Sequence, residues 1–174
     1  MQSMEFGYRA KLSRTFTVDA AVYRNDFQDF INTQVVLSPL YGEVGDGGLS
    51  VLAIANGDFE TWSSYTNSPA EISSWGMAIG MSTKIFKNFD LSANYTKSEL
   101  EFEQSQYPDF RTNWNTPEHK IKAQFGNTNL FKIDDRTVGF NVAWRYWSEY
   151  LWQASFGDGM VPETHVVDAQ INFT

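Results

Sequence analysis

Carboxylates are the first side chains in this sequence that could do chemistry. Asp19, Asp90 and Asp168 fall at polar positions of alternating segments and so share a face, while Glu99, Glu101 and Glu103 lie close together in the chain. Two carboxyls flanking a glycosidic bond can hydrolyse it, one as acid and one as base or nucleophile, provided a pocket raises the pKa of the acid. No feature of the sequence supplies that pocket, and the glutamate run reads as the polar side of a strand rising into a loop. His119 and His165 each open a strand-like stretch without a second ligand at zinc-binding spacing. The sequence holds no cysteine, which removes thiolate metal sites, disulfides and cysteine nucleophiles. Gly45-Asp46-Gly47-Gly48 lacks the lysine, and the strand and helix, that a phosphate loop requires, so it reads as a loop tip. Two Asn-x-Thr matches, at Asn94 and Asn172, fall inside predicted strands and are chance matches. The expectation is therefore no catalytic residue, no metal site and no cofactor, hence not an enzyme.

Binding is better served than catalysis. Trp62 and Tyr65 sit in one long polar stretch, Tyr107, Phe110 and Trp114 in a second, and Tyr150, Trp152 and Phe156 in a third. Rings carried on loops above a rigid scaffold can stack on a ligand, and these eight are the candidate ligand-binding residues. Rings next to strand ends, such as Trp75, Tyr146 and Trp147, read instead as anchors at a membrane boundary.

The elements that must position these rings are strands. Phe6, Tyr8, Ala10 and Leu12 alternate with Glu5, Gly7, Arg9 and Lys11, and the same period of two recurs from Phe16 to Val22, Trp75 to Met81, Phe89 to Tyr95, Ile121 to Phe125, Val138 to Tyr146 and Val167 to Phe173. That makes seven strands. Their connections alternate strictly: short at Ser13-Arg14, Lys87-Asn88 and Asp134-Asp135, long at about 27–71, 103–117 and 147–163. The first long segment is read as loop, with room for a small hairpin at Asn56-Gly57. In an antiparallel meander all short turns then lie on one rim and all long loops on the other, which is the asymmetry of outer-membrane barrels. Charged side chains such as Asp19, Lys120, Lys122 and Arg145 on the second face suit a water-lined lumen, because a dry core would charge heavily for each unpaired ion.

Composition agrees. Aromatics make up 16% of the chain, yet mean hydropathy is only −0.39, so large rings are interleaved with polar residues. No run approaches the roughly 18 apolar residues of a membrane helix, a test that barrel strands escape. A net charge of −8 with dispersed Lys and Arg argues against nucleic acid. Met1 is followed by no signal-peptide pattern, and a barrel of this kind closes with an even strand number. Both lead to the expectation that 1–174 is one segment of a larger barrel.

Several stretches resemble the C-terminal half of TonB-dependent receptors, in particular the Bacteroidetes-type receptors with a carboxypeptidase-regulatory-like domain. They are Glu5-Phe-Gly-Tyr-Arg-Ala-Lys-Leu, Val18-Asp-Ala-Ala-Val-Tyr-Arg-Asn-Asp-Phe-Gln-Asp-Phe-Ile, Tyr65-Thr-Asn-Ser-Pro with Ser74-Trp-Gly, Asn115-Thr-Pro-Glu-His-Lys with Phe125-Gly-Asn, and Trp152-Gln-Ala-Ser-Phe-Gly-Asp-Gly leading to Val167-Asp-Ala-Gln-Ile. The resemblance implies a 22-stranded barrel in the bacterial outer membrane, in contact with its lipid. It further implies a plug that couples to TonB, a scarce ligand such as a siderophore or oligosaccharide as cargo, and room for a surface lipoprotein as partner. Two other readings of the same strands are a soluble β-sandwich that binds carbohydrate, and a small complete barrel or adhesin whose eighth strand hides between Gly48 and Trp62. A sandwich would bury its apolar faces against each other.

Overall fold

The computed structural model describes every residue except Val44, Lys87, Ser155 and Phe156. The described chain is all-β, with strands over 68% of it and helix over 6%. Twelve strands follow in order: β1 Gln2–Lys11, β2 Phe16–Phe27, β3 Ile31–Pro39, β4 Phe59–Asn67, β5 Ile72–Ile85, β6 Phe89–Glu101, β7 Phe110–Arg111, β8 His119–Ile133, β9 Arg136–Trp147, β10 Tyr150–Ala154, β11 Gly157–Val161 and β12 Thr164–Phe173. Helix α1, Leu49–Asn56, lies between β3 and β4, and a turn of 3-10 helix, Gln104–Gln106, precedes β7.

Seven strands form one antiparallel meander in the order β1-β2-β5-β6-β8-β9-β12, the seven that alternation in the sequence predicts. Register carries the apolar positions straight across it. Phe6 pairs with Val22 and Val22 with Met77; Ala20 with Ile79, Ile79 with Tyr95, Tyr95 with Ile121 and Ile121 with Tyr146; Phe125 with Val142 and Val142 with Ala169. One-residue slips would turn each set to the other side, so this agreement fixes every strand. The strands run 10 to 15 residues, enough to cross a membrane at the usual tilt, which takes about 9–11.

Short connections join β1 to β2, β5 to β6 and β8 to β9, and they share one end of the sheet. Each has local chemistry that closes it. Ser13 Oγ accepts the backbone N–H of Phe16 at 3.0 Å, Asn88 takes a left-handed φ of 71°, and Asp134 does the same at 52°. Asparagine and aspartate are among the few side chains that tolerate this conformation. Lys87 of the second turn lies outside the described residues.

Among the described residues no second layer covers the apolar face of this wall. Val22 is 51% exposed, Ile79 48%, Val167 67% and Ile171 67%. That excludes the sandwich reading, in which those side chains would be buried between sheets. Aromatic clusters mark both ends of the face. Phe89, Phe125 and Phe140 meet near the short turns at centroid distances of 5.5 to 6.4 Å. Near the other rim Tyr95 stacks on His119, and Trp144 and Tyr146 pack on His165. Phe89 and Tyr95 lie six residues apart on β6, roughly 20 Å along the strand at about 3.3 Å per residue. The two histidines thus belong to the rim: His119 Nδ1 shares a 2.9 Å hydrogen bond with the Tyr95 hydroxyl, and Trp144 donates to His165 Nδ1 at 3.3 Å.

The opposite face is polar and tightly laced. Tyr23 reaches from β2 across β5 to the Ser98 hydroxyl on β6, at 3.2 Å. It can do so only because Gly76 lies beneath: a Cβ there would come within 2.5 Å of the Tyr23 ring. Arg145 and Asp168 pair at 2.6 Å, both partly exposed, an arrangement that suits a wet surface.

The long connections differ from the sequence expectation. Residues 27–71 are folded, with β3 and β4 paired over their full nine residues from Ile31↔Asn67 to Pro39↔Phe59. Asn56-Gly57 is no hairpin turn. Asn56 ends α1, and Gly57, at φ 84°, caps it by donating to the carbonyls of Ala53 and Ile54. The stretch from Gly48 to Trp62 therefore holds a helix and the start of β4, and β4 lies outside the wall, which removes the eighth-strand reading. Short β7 adds to β3, and β10 pairs with β11 inside the third connection.

Candidate functional site

The three long connections leave the same end of the wall, and side-chain amides bind them into one body. Thr33 and Asn32 come from the first, Arg111 to Asn115 from the second, and Gln153, Ala154 and Asp158 from the third. Asn113 donates to Asn32 Oδ1 at 2.5 Å and to Thr33 Oγ1 at 3.3 Å, and Asn32 donates in turn to the Thr112 carbonyl at 2.5 Å. Gln153 Oε1 accepts from the Asn113 backbone at 3.3 Å and from the Thr112 hydroxyl at 3.4 Å. Asn115 pairs reciprocally with the Gln153 backbone, accepting from its N–H at 2.6 Å and donating to its carbonyl at 2.8 Å. A side-chain amide here takes the place of a neighbouring strand. Arg111 completes the tie, donating to the Ala154 carbonyl at 2.6 Å and facing Asp158 at 3.5 Å.

The backbone cooperates with this network. Asn113 and Asn115 adopt left-handed φ values of 49° and 46°, which asparagine tolerates better than most side chains. Thr33, Thr112 and Gln153 are buried, so their polar groups need the partners they have. Beneath them Phe110 is 2% exposed and packs on Phe102, which also holds the Tyr107 ring, at 5.6 and 5.8 Å. Gln104 fixes the turn between the two rings by donating to the carbonyls of Tyr107 and Phe110 at 2.9 and 2.7 Å.

The eight candidate rings are therefore not equivalent. Phe110 is packing for the loop body and presents no surface. Trp62 is 60% and Tyr65 80% exposed, but the β3–β4 register puts them on opposite faces: Trp62 opposes Val36, two places from the Gln34–Ser64 pair, whereas Tyr65 opposes Thr33. Tyr107, Trp114, Tyr150 and Trp152 are half-buried. Phe156 lies outside the described residues. What the structure brings together is the Trp62 face of β3–β4 and the Tyr107 turn, since Gln34 also pairs with Phe110. Between them lies a cleft of about 290 Å³, with Gln34, Thr66, Asn67, Gln106, Tyr107 and Asp109 among its lining residues.

Charge is segregated between the two ends, a signal that single-residue reading misses although the sequence contains it. Across 27–71, 103–117 and 147–163 there are eleven carboxylates and one basic side chain, Arg111, and Arg111 is spent on Ala154 and Asp158. The short-turn end carries Lys11, Arg14, Lys84, Lys132 and Arg136 against Asp90, Asp134 and Asp135, a basic balance. Among the described residues no group of three or more His, Asp or Glu side chains is placed to hold a metal ion.

A profile described as TonB dependent receptor-like, β-barrel, matches residues 1–174, the whole chain. The chain belongs to this receptor family. No curated protein and no solved structure gives a match. Family membership accounts for the wall directly. TonB-dependent receptor barrels lie in the outer membrane, a setting that suits strands with one apolar and one polar face. Receptors of this family are transporters rather than enzymes. The aromatic clusters at the two rims then take the positions of interfacial girdles.

Proposed function

We propose that this segment forms part of the wall and outer loops of a TonB-dependent importer, and that the long-connection body makes first contact with the cargo outside the cell. The observation that carries the reading is the apolar face, shared by all seven strands and uncovered among the described residues, joined at one end to a cross-braced body of three loops. A wall of this kind is stable only in lipid, and a braced cap at its rim is suited to hold a ligand still while the barrel opens. Ligand passage would need a plug and energy from TonB. The short turns would face the periplasm and the long connections the exterior. The candidate contact rings are Trp62, Tyr65, Tyr107, Trp114, Tyr150 and Trp152, and the motif resemblance favours the receptor type that carries a carboxypeptidase-regulatory-like domain. A surface lipoprotein would have the loop end to dock on.

Deleting the receptor that carries this segment in its host, and separately deleting TonB, tests the reading. Both deletions are expected to abolish uptake of the same nutrient, and the segment is expected in the outer-membrane fraction. Uptake that persists without TonB would overturn the proposal.

A further inference from the structure

Ligand chemistry can be narrowed further, resting on the importer reading above. We infer that the cleft between the β3–β4 face and the Tyr107 turn takes a neutral, hydroxyl-rich ligand such as an oligosaccharide, in preference to an anionic chelate or a cationic peptide. Three observations converge on this.

First, the cleft offers groups that both give and accept hydrogen bonds. Gln34 and Gln106 supply amides and Thr66 a hydroxyl, and among the described residues none of these three has a side-chain hydrogen bond of its own. An amide presents two N–H donors beside a carbonyl acceptor, which matches hydroxyls that do both. Second, one wall is a ring held in place. Tyr107 stacks on Phe102, and Gln104 locks the turn that carries it. A braced ring offers a flat apolar surface at low entropic cost, and the C–H face of a sugar ring is such a partner. Trp62 extends this surface along the same face of β4, opposite Val36.

Third, electrostatics excludes the alternatives. Among the described residues no lysine, arginine or histidine lines the cleft, and the surrounding connections carry eleven carboxylates against one engaged arginine. An anionic ligand would meet repulsion on approach and no countercharge on arrival. A cationic peptide would be drawn to the rim, but within the cleft Asp109 is the one carboxylate available to pair with it. A volume of about 290 Å³ is at the small end of ligand pockets. It fits one or two sugar units, with the rest of a chain lying toward Trp62.

The test uses the whole receptor, purified in detergent, with four probe sets: neutral hexasaccharides of glucose, xylose and mannose; a sulfated oligosaccharide; a ferric catecholate complex; and a lysine-rich peptide. Binding is read by calorimetry. A neutral oligosaccharide is expected to bind, and Tyr107→Ala and Gln34→Ala each to weaken it about tenfold, the effect of losing one stacked ring or one two-way hydrogen bond. Asp135→Ala, in the short turn between β8 and β9 at the far end of the wall, is expected to leave affinity unchanged. Gln34→Ala removes an amide without touching the Phe102 stack, so a poorly folded Tyr107→Ala variant would not blunt the test. Preference for the ferric complex, the sulfated probe or the peptide would overturn the inference, as would unaltered affinity in Gln34→Ala or no binding by any probe. Uptake separates this from the parent proposal. A receptor that imports an anionic ligand through TonB defeats the cleft assignment alone, and one that binds the oligosaccharide without TonB-dependent uptake defeats the importer reading alone.

Discussion

The wall and the loop body of this chain treat large apolar side chains in opposite ways. Along the seven strands, large apolar side chains such as Phe6, Ile79, Val167 and Ile171 stand exposed on one face. In the loop body the buried residues are Phe110, Ala53 of α1 and a set of polar side chains, Thr33, Thr112 and Gln153. The wall is thus organised for a solvent of hydrocarbon, where backbone pairing is complete and side chains need no internal partner. The body is organised for water, with a small packed centre and polar side chains hydrogen-bonded from one connection to the next. One sequence encodes both because β-periodicity sets the first and individual side-chain chemistry sets the second. The clearest way to break this contrast is to truncate the body's packing centre. Phe110→Ala should cost the loop body about 3–5 kcal/mol, the usual range for an aromatic removed from a packed site. Protease sensitivity of 103–117 should rise sharply while the wall stays folded in lipid. Simultaneous loss of the wall would show that the two regions are not separable.

Charge placed on the two faces of the wall should give the next largest effect. Ile79→Lys puts an ammonium on the apolar face near mid-strand, where such substitutions in barrels cost about 2–4 kcal/mol. Gln124→Lys places the same group on the polar face, where Gln124 donates to Asn141 at 2.9 Å across exposed surface, and is expected to stay within about 0.5 kcal/mol. Unfolding in denaturant from lipid vesicles measures both. Equal costs would show that the first face does not contact lipid.

The same division explains what could be read in advance. Seven strands, their faces and their alternating connections were legible because period-two alternation survives in every wall strand, and register then follows from matching apolar sets. Inside the connections the signals fail for particular reasons. Asn56-Gly57 is a hairpin signature that serves instead as the end of α1, with Gly57 capping it. β3 and β4 pair across a gap of nineteen residues, too long for turn chemistry to announce. Phe110 and Tyr107 are both rings in one polar stretch, yet only the fold shows that the first is buried and that Phe102 holds the second. Gln153 carries no motif, although it touches three residues of another loop. The carboxylate excess of the long connections was legible and needed only to be counted by region.

Gln153 gives the third test. Gln153→Ala deletes the acceptor for Asn113 N–H and the Thr112 hydroxyl and leaves buried donors unpaired, at a cost of about 1–3 kcal/mol. The backbone pairing with Asn115 survives. Hydrogen exchange should therefore quicken in 110–115 more than in β10–β11, with the wall unaffected. Uniform quickening across all three connections would mean that they unfold as one unit rather than as braced parts.

The smallest effect separates two polar anchors of the same body, one ionisable and one not. Asp46 organises the approach to α1, accepting backbone N–H groups of Glu43, Gly48 and Ser50 at 2.6, 3.0 and 2.9 Å. Desolvation raises its pKa, but hydrogen bonds from Gly48, Glu43, Ser50 and Leu49 outweigh it and hold the carboxyl below its ordinary 3.8. The group is thus more acidic folded than unfolded. Its stabilising effect is present above 3.8 and fades as pH falls through the lowered folded value. Pepsin, active in that range, should begin to cut within 42–57 only as the carboxyl protonates, while 110–115, held by the uncharged amide of Gln153, stays resistant. Asp46→Asn should make cleavage at 42–57 independent of pH. Cleavage there that tracks no titration in the unaltered chain would show that Asp46 does not hold this segment, and that α1 is kept in place by its contacts with β3 alone.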